Sequence, residues 1–302
     1  MKPITVLLSI YGNSPFLTDF LKSLQKQSLQ EFQVLCRADG EFVIPDELYT
    51  LVPGSMALED NEHRGVVGSY SRLIHEAPES SYYMFADQDD IWHSDKIEKT
   101  LSAMKKAEEK WGSVMPILVH SDLRVVTEEL QKISDSLIRY QSLDAGKADL
   151  KDLLIQNNVT GCTVMINKAL FDLISVPPEA ICHDWYVALT AAAFGKIVFI
   201  DSPLVEYRQH SANVYGAVPR KNFVKKLFSS ESLKQRLTLT QVQAEAFARQ
   251  YHDKLSQQQI DMLDAWAGNL KEPFYLKRLF RAWRWGFKKH DWLRSLGMWW
   301  AL

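Results

Sequence analysis

Three carboxylates stand within four residues at Asp87-Gln88-Asp89-Asp90. Carboxylates this close repel one another, so such a cluster calls for positive charge beside it. The five residues before it, Tyr82 to Ala86, form an apolar run that suits a buried parallel strand. A cluster like this at a strand end usually exists to hold a cation. The bland reading is a solvated acidic turn that caps the next helix. Two further polar groups weigh against it. Ser9 and Tyr11 close the apolar run Ile4 to Ile10, and Asp39-Gly40 follow the run Phe32 to Cys36. All three groups therefore stand at strand carboxyl ends, where open α/β sheets bind ligands.

The elements that must position these residues alternate along the first two thirds of the chain. Strands are predicted at Ile4 to Ile10, Phe32 to Cys36, Tyr82 to Ala86, Ile117 to His120, Cys162 to Ile166 and Ile197 to Ile200. Helical spacing appears from Pro15 to Gln27, Val66 to Ala77 and Asp184 to about Phe194. Ser94 is the expected N-cap of a helix running to about Lys110, with Asp95 in its first turn. The alternation predicts an α/β fold with a mainly parallel sheet covered on both faces. No GxGxxG follows the first strand and no GxxxxGK[ST] occurs, so the usual dinucleotide and P-loop signals are missing.

The chain has 302 residues, 46% apolar and 24% charged, enough for a large domain with an appendage. A net charge of -2 argues against a nucleic-acid binder. Cys36, Cys162 and Cys182 show neither CxxC pairing nor zinc spacing and are expected to be reduced thiols of a cytoplasmic protein. The start at Met1-Lys2-Pro3-Ile4 leads straight into a strand, so no signal peptide is expected, and no apolar run is long enough to predict a transmembrane helix.

The order of these pieces resembles glycosyltransferase family 2 on the GT-A fold, a Rossmann-like sheet flanked by helices. The match runs over residues 2 to 215 and is carried by "LLSIYGN", "CRADG", "NEHRGVVGSYSRLI", "FADQDDIW", "TGCTVMI", "HDWYVAL" and "YRQHSANV". "FADQDDIW" and "YRQHSANV" look most like the rhamnosyltransferase branch. The resemblance implies an inverting transfer of a sugar from a nucleotide donor to a hydroxyl of a glycan or lipid-linked acceptor in cell-surface polysaccharide synthesis. It implies dTDP-L-rhamnose first and a UDP-hexose next. It assigns Asp89 to the Mn2+ or Mg2+ ion, His210 to that ion or to the diphosphate, and Asp87 to the ribose or to a water-mediated contact with the ion. Asp90 is either a ligand or a cap. Asp39 takes the base edge, with Ser9, Tyr11 and Arg64 around the nucleotide. Asp184 is the implied general base, and Thr160, Gly161 and Trp185 shape the acceptor side. Cys162 is not an expected nucleophile.

Two rivals remain. A sugar nucleotidyltransferase also uses paired aspartates and a metal, but its phosphate loop is normally basic, and Tyr11-Gly12-Asn13-Ser14-Pro15 holds no Lys or Arg. A non-catalytic sugar-nucleotide-binding protein would release no nucleoside diphosphate. The expected division is a catalytic domain over 1–216 and a helical C-terminal region over 217–302. Five of the nine tryptophans lie in the last twenty residues. From Leu276 the set Leu276, Leu279, Phe280, Trp283 and Phe287 recurs on one helix face, flanked by Arg278, Arg281, Arg284 and Lys288. Such a face suits the cytoplasmic side of a membrane with anionic lipid, or else packing on the catalytic domain or on a second subunit of a homo-oligomer.

Overall fold

The computed structural model describes residues 2–58, 60, 62–210 and 230–302. In chain order its elements begin with β1 (Ile4–Ile10), α1 (Leu17–Gln25), β2 (Phe32–Ala38), α2 (Glu47–Leu51), β3 (Met56–Leu58) and α3 (Gly65–Glu76). β4 (Tyr82–Asp87), β5 (Ile91–Trp92), α4 (Lys96–Trp111), β6 (Ile117–Val126) and β7 (Lys132–Ser134) come next. They are followed by α5 (Leu137–Tyr140), α6 (Leu150–Leu153), a 3-10 turn at Gly161–Thr163, β8 (Met165–Asn167), α7 (Lys168–Phe171), α8 (His183–Phe194) and β9 (Lys196–Arg208). The last described elements are α9 (Ser230–Tyr251), α10 (Gln257–Ala267), α11 (Tyr275–Trp285) and α12 (Trp292–Ala301).

The nine strands form one sheet in the order β3-β2-β1-β4-β8-β6-β9-β5, with β7 paired to β6. β1 lies parallel to both β2 and β4, and it is buried along its length except at half-buried Ser9. That is the pattern expected of a strand covered on both faces. Helices α1, α3 and α4 turn Leu17, Phe20, Leu21 and Leu24, then Tyr70, Leu73 and Ile74, then Ile97, Leu101 and Met104 inward at three- and four-residue intervals. The α/β class expected from the alternation holds.

The sheet is mainly parallel, as the alternation predicts, with β1, β2, β3, β4 and the long β6–β9 pair parallel and β8 antiparallel to both β4 and β6. Two local expectations change. The strand expected from Cys162 is a 3-10 turn through Thr163, and pairing starts only at Met165. Asp95, not Ser94, is the N-cap of α4. It makes no side-chain cap bond and pairs with Lys99 at 2.6 Å, while the Ser94 carbonyl accepts from the Ser28 N–H at 2.7 Å.

The chain divides into two compact units. The first takes in Met1–Leu137, Val159–Pro178 and Cys182–Ala217 and contains the whole sheet. Its register fixes the site. Ser9 lies opposite Arg37 on one side and Asp87 on the other. Cross-strand neighbours face the same way, so three polar residues stand in a row at the carboxyl ends.

The second unit takes in Ile138–Asn158, Glu179–Ile181 and Val218–Leu302. The expected boundary at 216 lies outside the described residues. Within this unit α9 and α10 pack through Leu237, Ala244, Phe247, Leu263 and Trp266, whose indole N–H donates to Thr240 Oγ1 at 3.2 Å. A reciprocal Ser256–Gln259 capping box starts α10. Phe287 does not extend the α11 stripe as the spacing suggested. Gly286 adopts a left-handed φ of +69° and ends the helix, and Phe287 is fully buried 5.1 Å from the Trp266 ring.

Candidate active site

The row of polar residues in the first unit begins with Arg37, a fully buried guanidinium on β2. Such a charge requires partners. Its Nη1 donates to Asp39 Oδ1 at 2.8 Å and to Ser69 Oγ at 2.9 Å, and its Nη2 donates to the Glu62 carbonyl at 2.5 Å. Ser69 Oγ in turn lies 2.6 Å from Ser9 Oγ. Asp39 also accepts the Arg64 backbone N–H at 2.7 Å, and its other oxygen lies 3.0 Å from His63 Nδ1. Asp39 is thus held rigidly below an exposed pair of rings, Tyr11 and His63, whose centroids are 5.2 Å apart. The Arg64 side chain points elsewhere, pairing with Glu62 and reaching Asp60 at 3.5 Å. Asn61 lies outside the described residues. Arg37→Met is expected to leave Asp39 buried without its counter-charge and to cost about 3–5 kcal/mol, the range for breaking a buried pair. Urea denaturation checks it, and a loss below about 1 kcal/mol would count against the clamp.

The acidic cluster sits at the end of β4. Asp89 Oδ2 lies 2.6 Å from His210 Nε2, so two residues far apart in sequence meet. Asp87 accepts from the Tyr70 hydroxyl at 3.3 Å. Asp90 is fully buried; its Oδ1 accepts the Arg208 N–H at 3.3 Å, and its Oδ2 has no hydrogen-bond partner among the described residues. One ligand atom each from Asp87, Asp90 and Cys162 comes within 4.8 Å of the others. A buried carboxylate oxygen without a donor is costly unless something positive shares it. The oxygen-rich donor set, with an imidazole beside it, fits Mn2+ or Mg2+. Burial raises the Cys162 thiol well above its usual range, which suits an inert cysteine. Lys96 is buried nearby with its ammonium 3.5 Å over the Trp92 ring, and burial pulls its pKa down to about 7.

Burial, then the negative charges of Asp89 and Asp184, push Asp87 up to about 7. Below that pH Asp87 holds a proton that a cation must displace, and above it the carboxylate is free. Mn2+ affinity is therefore expected to fall about fivefold from pH 7 to pH 6 and to level off above pH 8. Calorimetry in buffers of different ionisation enthalpy measures both the affinity and the released proton. A pH-independent affinity would remove Asp87 from the cation site.

On the other side of Asp87, Asp184 opens α8. Its Oδ2 accepts the Gly161 N–H at 2.9 Å and its Oδ1 accepts the Trp185 N–H at 2.6 Å, so the carboxylate is fixed through both oxygens. Gly161 fits a tight approach, since a Cβ there would stand 3.0 Å from His183 Nε2 and 3.3 Å from Asp184 Cβ and would press both side chains back. Thr160 anchors the turn, its carbonyl accepting from the Thr163 N–H and hydroxyl. Trp185 is half-buried. His183 is buried and stacked on Tyr70 at 3.6 Å, and burial drops its pKa to about 4, so it is neutral at pH 7.

The structure thus gathers Ser9, Asp39, Asp87, Asp89, Thr160, Gly161, Asp184, Trp185 and His210 in the first unit, and it leaves Tyr11 and the Arg64 side chain exposed at the margin. Sequence reasoning passed over Arg37, His63, Tyr70 and His183. Arg37 had a signal, a charge directly after the apolar run Val34 to Cys36 of β2.

No protein-family model matches the chain. The chain is 20% identical over 217 residues to the uncharacterized glycosyltransferase RP339 of Rickettsia prowazekii, covering 69% of this chain and 64% of that protein. It therefore spans just under two thirds of the length of that relative. It is 25% identical over 257 residues to AmsB, an amylovoran biosynthesis glycosyltransferase of Erwinia amylovora, covering 79% and 80%. Among solved structures it is similar to S. aureus TarS in complex with UDP-GlcNAc, with a TM-score of 0.54, 15% identity, and 94% and 92% coverage. It is also similar to the Pyrobaculum calidifontis mannosyltransferase PcManGT in complex with GDP-Man and Mn2+, with a TM-score of 0.53, 15% identity, and 94% and 73% coverage. The chain shares the fold of these structures.

Proposed function

We propose that this chain is a metal-dependent inverting glycosyltransferase of family 2, with residues 1–216 as its catalytic domain and 217–302 as an accessory helical region. The observation that carries the reading is the meeting of Asp89 and His210 at 2.6 Å beside Asp87 and Asp90, all at the sheet end that also carries Asp39. Glycosyltransferase relatives and a shared fold with structures bound to UDP-GlcNAc and GDP-Man support it.

In this reading Asp39, fixed by Arg37, accepts a hydrogen bond from the nucleobase edge, with Tyr11 against the base and Ser9 and Arg64 around the nucleotide. Asp87 faces the ribose or contacts the cation through water. Asp89 and His210 hold the cation with Asp90 next to them. When bound, the cation neutralises the charge that develops on the leaving diphosphate. Asp184 accepts the proton of the acceptor hydroxyl as that oxygen attacks the anomeric carbon. The bond to the nucleoside diphosphate breaks, and one displacement inverts the configuration. Gly161 and Trp185 keep the Asp184 carboxylate aimed, and Thr160 borders the acceptor.

The donor is dTDP-L-rhamnose, with a UDP-hexose next, on the likeness of "FADQDDIW" and "YRQHSANV" to the rhamnosyltransferase branch. The acceptor is a glycan or lipid-linked hydroxyl in cell-surface polysaccharide synthesis, and the likeness to a glycosyltransferase of amylovoran biosynthesis supports a biosynthetic role. A thermal-shift screen of nucleotide sugars with Mn2+, followed by nucleoside diphosphate release, tests the reading. The expected result is a rise in melting temperature with dTDP-rhamnose or a UDP-hexose, and turnover that EDTA stops. No shift and no release with any donor would overturn it.

A further inference from the structure

We propose that α11 and α12 form a surface that lies on an anionic lipid bilayer. Helix α11 exposes Leu276, Phe280 and Trp283 at intervals of four and three, with Trp283 76% exposed. Helix α12 exposes Trp292, Leu296 and Trp300 at intervals of four, with Trp300 72% exposed. The two helices are neighbours. The Tyr275 hydroxyl donates to the Trp299 carbonyl at 3.1 Å, the Trp299 indole N–H donates to the Phe287 carbonyl at 3.1 Å, and Arg278 donates to the Leu302 carbonyl. Every exposed tryptophan among the described residues belongs to these two helices. Large aromatic side chains left in water mark an interaction surface.

The charges select the partner. From residue 273 onward the sequence carries seven Lys or Arg against Asp291 alone, in a chain whose net charge is -2. Asp291 is engaged at the N-terminus of α12, where it accepts from the Leu293 and Arg294 N–H groups. Arg278 and Arg281 are occupied by the Leu302 carbonyl and by Glu272. Lys277, Arg284 and Lys288 are exposed and make no ion pair among the described residues; Lys277 lies 4.8 Å over the Phe274 ring and the charge of Lys288 reaches Asp152. Aromatic anchors ringed by exposed cations match an interface of anionic headgroups over acyl chains. A second copy of the same face would set like charges against each other, which disfavours self-association. No described helix is long and apolar enough to cross a membrane, so these helices lie in the interface.

Flotation of the full-length protein tests this with vesicles of phosphatidylglycerol and phosphatidylcholine, and with phosphatidylcholine alone. The protein should float with the anionic vesicles at low salt and bind at least roughly tenfold less to the neutral ones. Lys277→Glu with Arg284→Glu and Lys288→Glu should reduce binding roughly a hundredfold, each cation being worth about fivefold. Trp283→Ser with Trp300→Ser should reduce it roughly tenfold or more at unchanged melting temperature, because both side chains already stand in water. The vesicle readout needs no sugar donor, so its failure leaves the glycosyl-transfer reading standing. Protein that stays at the bottom of the gradient, or floats undiminished in both variants, overturns the proposal. So does a dimer in sedimentation velocity that Trp283→Ser with Trp300→Ser dissociates, since the face would then join two copies.

Discussion

Asp89→Ala is expected to lower donor turnover on the order of a thousandfold or more while leaving the protein folded. A Lewis acid at a leaving diphosphate contributes several kcal/mol, and each 1.36 kcal/mol is a factor of ten in rate. The fold should tolerate the change because Asp89 is half-buried at a strand end, outside the packed run Tyr83 to Ala86. The substitution also removes the carboxylate that lies 2.6 Å from His210 Nε2. The measurement is nucleoside diphosphate release with Mn2+ present, beside wild type treated with EDTA. Near-normal release in the variant, together with indifference to EDTA, would sink the role assigned to the cation.

Asp184→Asn should keep donor affinity and slow sugar transfer roughly 10²- to 10⁴-fold, the usual worth of a positioned general base. The amide keeps one acceptor oxygen for the Gly161 or Trp185 N–H and loses the other, a stability cost of about 1 kcal/mol. Single-turnover transfer separates the chemical step from binding. A second readout comes from electrostatics. The charge of Asp184 helps to raise Asp87, so the pH midpoint for Mn2+ binding should move down in the variant. Wild-type transfer with an unmoved midpoint would show that the base lies elsewhere.

Much of the first unit is legible in the sequence because its strands are short apolar runs with sharp polar ends. β1, β2 and β4 read directly from Ile4 to Ile10, Phe32 to Cys36 and Tyr82 to Ala86. The same ends carry Ser9, Asp39 and Asp87, so a row of site residues was visible before any pairing was known. What could not be read depends on partners remote in sequence. β8 has only three residues and no periodicity of its own; its direction is set by β4 and β6 on either side. His183 looks like an ordinary helix-start residue until Tyr70 is found stacked on it. Phe287 continues the spacing of α11, but the left-handed Gly286 turns it inward, and only that glycine hinted at the break.

The meeting of Asp89 with His210 spans 121 residues of chain, and Asp90 reaches Arg208 across 118. Contacts of such separation form late, because the entropy of closing the loop must be lost before they contribute anything. During synthesis β1, β2 and β4 can pair while β5 still waits for β9. The nascent chain therefore carries its three carboxylates in water, unclosed, until about residue 210 has emerged, and fragments ending earlier should neither bind cation nor bury Asp90. Since the last strand to arrive completes both the sheet and the proposed pocket, a cation or donor bound there would stabilise the whole first unit rather than a loop, and saturating ligand should raise its unfolding midpoint.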